Sequence, residues 1–149
     1  MTLRVFLFPA SLCYLLLISA CGPVGVWTDP NDPQSLYKNP DPKIEALHVE
    51  AYNLDLGNGV KQDRVKANQL YLKAAKAGDP RSMMNYAINR FDGMGIKADK
   101  VDAYVWIDKA RFATQFTQDM KMKWRIRGVQ DEMKKQMTAE QLKEAIGRR

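Results

Sequence analysis

From residue 43 onward, apolar and polar positions recur at the spacing of helices. Ile44, Leu47, Ala51 and Leu54 share one face. Ala67, Leu70, Tyr71 and Ala74 follow the i, i+3, i+4, i+7 rule, and Ala103, Trp106, Ile107 and Ala110 repeat that set at an offset of 36. Met83, Ala87 and Phe91 mark the inner face of a helix between them. Gly78-Asp79-Pro80 predicts a tight helix–helix connection: glycine after the outgoing helix, aspartate as N-cap, proline in the next first turn. Met122, Ile126, Val129 and Met133 give one apolar face to a long later helix, which Gly128 weakens. Thr138-Ala139-Glu140-Gln141 has the form of a capping box, opening a last helix with Leu142, Ala145 and Ile146. The pattern predicts an all-α protein.

The first 42 residues differ. Val5 to Ala20 is an almost uncharged apolar run behind Arg4, interrupted by Pro9 and shorter than the ~20 residues of a spanning helix. It reads as an export signal over 1–20. Residues 21–42 hold Pro23, Pro30, Pro33, Pro40 and Pro42 among Asp and Asn, a composition that favours extended chain over helix. They read as a tether with a reach of roughly 60 Å. Trp27 and Tyr37 lie inside it and are expected to dock on the domain or the membrane interface.

Repetition sharpens the picture. Gly57 to Asp63 reads GNGVKQD and Gly93 to Asp99 reads GMGIKAD. Around them Ala51, Asn53, Val65, Ala67, Lys73, Ala74 and Ala77 align with Ala87, Asn89, Val101, Ala103, Lys109, Ala110 and Ala113. Chance supplies about one or two identities over such a span, so the repeat is real. The loop lacks the G-x-x-x-x-G-K-[ST] of a phosphate loop and the βαβ setting of a dinucleotide site. Gly57, Gly59, Gly93 and Gly95 therefore read as turn residues, Asp63 and Asp99 as N-caps, and Val60 and Ile96 as plugs into the core.

The combination G-x-G-V-x-x-D, Lys66-Ala67, then Tyr71-Leu72-Lys73-Ala74-Ala75 and a closing Gly78-Asp79 resembles the Sel-1-like repeat, a relative of the tetratricopeptide repeat. The resemblance implies a short solenoid, a right-handed α/α superhelix of paired antiparallel helices, over 43–113. Residues 114–149 would be a C-terminal helical cap, since two repeats are few for a stack. It also implies an adaptor that binds a protein on the concave face built by the first helix of each pair. By helical position, Tyr52, Met84, Ile88 and Arg90 are the expected contacts. Ile18-Ser19-Ala20-Cys21 resembles the lipobox of bacterial lipoproteins, which implies an acylated Cys21 at the mature N-terminus. Gly22 in place of Asp implies sorting to the outer membrane, facing the periplasm. Some small lipoproteins with this repeat resemble immunity proteins that neutralise phospholipase effectors of type VI secretion. An envelope-assembly or secretion accessory role is equally compatible.

Candidate chemistry is sparse. Cys13 would leave with the signal and Cys21 would carry lipid, so no thiol remains for a disulfide or a metal. His48 is the single histidine, and Ser35 and Ser82 sit in no nucleophile motif. No cofactor, metal or catalytic role is expected. The net charge of +6 favours anionic partners, and no nucleic-acid recognition motif is present. Lys121, Lys123, Arg125, Arg127, Lys134 and Lys135 make the late helix basic, either a solvated face or a contact for anionic lipid or an acidic protein. Trp124 among them is expected in the core.

Overall fold

The computed structural model describes residues 37–148. The export signal, Cys21, Trp27 and most of the tether lie outside those residues. Six helices follow in order: α1 (Pro42–Leu56), α2 (Arg64–Lys76), α3 (Pro80–Asp92), α4 (Lys100–Ala113), α5 (Met120–Lys135) and α6 (Ala139–Gly147). There is no strand among the described residues.

Each helix starts where the sequence supplies a cap. Asp41, Asp63, Asp79, Asp99 and Asp119 stand at the N-caps of α1 to α5, and each side chain accepts a backbone N–H of the first turn. Each such cap stabilises its helix by about 1 kcal/mol. Thr138 caps α6 in a capping box with Gln141. Pro42 and Pro80 occupy the first turns of α1 and α3, and Gly57 and Gly93 end the same two helices in the left-handed conformation.

The helices pack as a stack: α1 on α2, α2 on α3, α3 on α4, and α4 on both α5 and α6. Ala51, Ala67, Ala74, Ala87, Ala103 and Ala110 are fully buried. Their small side chains let the backbones approach closely. A smaller apolar cluster joins Ala51, Tyr52, Ala67, Tyr71 and Tyr86. A larger one joins α3 and α4 to Met122, Ile126, Val129 and Met133 of α5 and Ala145 of α6. Trp106 packs against both clusters and meets Tyr86 edge-on at 5.5 Å.

This packing corrects the expected contact face. Every residue of α3 from Pro80 to Phe91 is buried except Arg81 and Arg90. Met84 and Ile88 belong to the cluster that α5 completes, so the C-terminal cap lies against the surface they were expected to offer a partner. Tyr52 is buried against Tyr71. Arg90 is committed internally: its Nε donates to Asp102 at 3.0 Å and its Nη1 to the Lys97 carbonyl at 2.6 Å. Two apolar expectations also fail. Trp124 is 64% exposed, because it stands about 180° around α5 from the seam of Met122, Ile126, Val129 and Met133. Val60 is 48% exposed rather than plugged into the core.

Candidate functional site

The two glycine loops have one geometry and two environments. Gly57, Gly59, Gly93 and Gly95 have φ of 75°, 71°, 75° and 67°, a region that side chains with a Cβ rarely adopt. The Asp63 N–H donates to the Leu54 carbonyl at 2.9 Å, and the Asp99 N–H to the Arg90 carbonyl at 2.8 Å, closing each loop in the same way.

The second loop is seated on the first repeat. A Cβ at Gly95 would fall on Arg64, 2.7 Å from its carbonyl carbon and 2.9 Å from its oxygen, besides meeting its Cβ. Asn68 Nδ2 donates to the Met94 carbonyl at 2.7 Å, and Asn89 Nδ2 donates to Asn68 Oδ1 at 3.0 Å and Asp55 Oδ2 at 3.3 Å. Burial pushes the Asp55 carboxyl up; Asn89 and Arg64 oppose that only in part. Ile96 packs on the Ala51–Tyr71 cluster.

The first loop has no such seat. A Cβ at Gly59 would meet nothing within 4 Å. Val60, the counterpart of Ile96, is exposed, and so are Val49 and Leu56, seven residues apart on one stripe of α1. Their counterparts on α3, Asn85 and Asp92, are buried and half-buried. The first repeat therefore ends the stack with an uncovered apolar edge, where the second repeat has polar residues at two of the three positions and a half-buried Ile96 at the third.

A polar cluster binds the entering chain to α1 and α3. Arg81 donates to the Tyr37 carbonyl at 3.1 Å, lies over the Tyr37 ring at 5.1 Å, and pairs with Glu45 and with Asp79. The Asn39 N–H donates to Glu45 at 2.7 Å and its Nδ2 to Asp79 at 3.2 Å. Residues 37–41, expected as the end of the tether, are thus held on the domain, and Tyr37 docks as expected.

His48 sits inside this cluster, with Nδ1 2.9 Å from Ser82 Oγ and 3.5 Å from Asp79 Oδ1. These partners lie 34 and 31 residues away, and neither was visible in the sequence. The three residue types suggest a nucleophilic triad, but the geometry does not. Such a relay uses both ring nitrogens, one toward serine and one toward the carboxylate, whereas here both partners face Nδ1. Ser82 is also fully buried. Burial first, then Arg81, lower the His48 pKa to about 4, against an opposing pull from Asp79 and Glu45. The ring is neutral near pH 7, and its contact with Ser82 is a hydrogen bond. Burial alone would raise the Asp79 carboxyl, but His48, Arg81, the Ser82 N–H and Asn39 hold it below its ordinary value. Among the described residues, no group of three His, Cys, Asp or Glu side chains is placed to hold a metal ion.

Paired antiparallel helices, a twice-used glycine loop and stacking of one pair on the next define an α/α repeat protein. The Sel1 repeat family model matches residues 46–79 and 80–111, so the chain carries two Sel1 repeats. The C-terminal cap follows them. The crystal structure of c5321, a protective antigen present in uropathogenic Escherichia coli strains and displaying an SLR fold, is similar over 68% of this chain, with 26% identity and a TM-score of 0.59. The match spans 20% of that longer chain. No curated protein matches. Sel1 repeats in general are protein–protein interaction modules, and their fold is typically a non-enzymatic scaffold.

Proposed function

We propose that the protein is a lipid-anchored periplasmic adaptor that holds a protein partner on the open end of its first repeat. The observation that carries this reading is the unequal pair of loops. The Gly95 loop packs against the Arg64 backbone of the preceding repeat, while the Gly59 loop, with Val49, Leu56 and Val60, leaves an edge open to whatever stacks next. End repeats of a solenoid stay soluble by presenting a polar outer face. A half-exposed apolar stripe there is better explained as a surface that a partner covers. The lipobox-like Ile18 to Cys21 and the proline-rich segment supply the anchor and the reach, and Arg81 with Asn39 supplies the point where the tether joins the body.

Two measurements on the full chain test the two halves of the proposal. Labelled palmitate should enter the wild type and be absent from Cys21→Ser; equal labelling overturns the anchor. Val49→Asp with Val60→Asp should leave the helical signal intact and abolish capture of the wild-type partner set. Unchanged capture overturns the open-end contact.

A further inference from the structure

The corner between α4 and α5 carries the most exposed aromatic side chains of the described residues. Phe116, in the connecting loop, is 89% exposed. Phe112 at the end of α4, Met120 at the start of α5 and Trp124 one turn later are each more than half exposed. Met120 and Trp124 stand on the side of α5 opposite its buried seam of Met122, Ile126, Val129 and Met133. Charge surrounds them. Between residues 108 and 128 stand Lys109, Arg111, Lys121, Lys123, Arg125 and Arg127 against two carboxylates, Asp108, which pairs with Arg111 at 3.1 Å, and Asp119, which caps α5. Arg111 lies 4.5 Å from the Phe112 ring centroid and Arg127 lies 5.9 Å from that of Trp124.

We propose that this corner docks on an anionic membrane surface. Trp and Phe favour the headgroup level of a bilayer, where an amphipathic or apolar ring is partly dehydrated. Each Lys or Arg held near an anionic surface adds about 1 kcal/mol. Long basic side chains bury their stems beside the rings while their charges reach the phosphates. A Phe exposed to this degree on a loop suits insertion among headgroups better than a preformed protein groove. A Cβ added at Gly128, one turn beyond Trp124, would meet nothing within 4 Å. The proposal rests on the corner itself and does not depend on acylation of Cys21. It gives the domain a second, reversible hold on the membrane, separate from the open end of the first repeat.

The test uses the full chain bound to vesicles whose acyl chains carry bromine, a short-range quencher of tryptophan. Vesicles of phosphatidylcholine alone are compared with vesicles that also contain phosphatidylglycerol. The contribution of Trp124 is the difference between wild type and Trp124→Phe, an exposed substitution that leaves the core intact. Trp124 should be quenched on phosphatidylglycerol vesicles, and quenching should fall with added salt. Lys123→Gln with Arg127→Gln should shift the docked-to-undocked ratio about 30-fold toward undocked, the equivalent of two charges. Absence of quenching on phosphatidylglycerol, or equal quenching on both vesicles, overturns the proposal.

Discussion

Gly59→Ala and Gly95→Ala place the same change in the same loop position of two repeats. Both glycines sit at positive φ, 71° and 67°, so each alanine meets the left-handed penalty of about 1–2 kcal/mol. Space separates them. At Gly59 the new methyl enters open solvent, whereas at Gly95 it lands on Arg64 backbone atoms at 2.7 and 2.9 Å. Backbone cannot rotate away as a side chain can, so the second loop must lift off α2. Such overpacking adds typically about 1–3 kcal/mol. Lifting the loop also strains the bond from Asn68 to the Met94 carbonyl. We expect Gly59→Ala to lose about 1–2 kcal/mol and Gly95→Ala about 2–5 kcal/mol. Urea denaturation followed by circular dichroism at full chain length reads both losses. Gly57→Ala and Gly93→Ala serve as a matched control, because their new methyls would lie 3.3 Å from Gln62 Cβ and Ala98 Cβ. That pair should lose similar amounts. Equal losses for Gly59→Ala and Gly95→Ala would refute the seating of the second loop on the first repeat.

Two further outcomes follow from burial and charge. His48 has its folded pKa lowered to about 4 from 6.5, so between those values the unfolded chain binds a proton that the folded one does not. Stability therefore falls as pH drops through that window, by about 3 kcal/mol in total, and His48→Gln should flatten the slope in pH-dependent urea titrations. Asp79 and Glu45, with folded pKa values lowered, contribute stability that is present above their unfolded values and lost at still lower pH. Along α5, Ile126→Ala should cost about 2–5 kcal/mol, while Trp124→Ala should stay within about 0.5 kcal/mol, read by the same denaturation.

Much of the fold was legible because it is local. The aspartate caps, the Gly78-Asp79-Pro80 connection, the capping box at Thr138 and the offset of 36 between loops depend on residues a few positions apart. The contact face was not legible, because it depends on where α5 lies, and that is set by packing between segments some forty residues apart. Met84 and Ile88 have the helical positions of a concave contact face; the cap takes them for the core. Val60 repeats the pattern of Ile96, yet a repeat at the end of a stack lacks the neighbour that would bury it. Trp124 differs from these. Its spacing from Met122 and Ile126 already put it opposite the seam, and residue type outweighed geometry. The partners of His48 come from the start of another helix, and no local pattern announces them.

The central claim is that a protein covers the open end of the first repeat while the α4–α5 corner faces lipid. A photo-activatable side chain placed in turn at Val60 and at Phe116 of the full chain, in cells that make it, tests this directly. The account predicts covalent protein adducts from position 60 and lipid adducts without protein from position 116. Protein adducts from 116 together with none from 60 would contradict it.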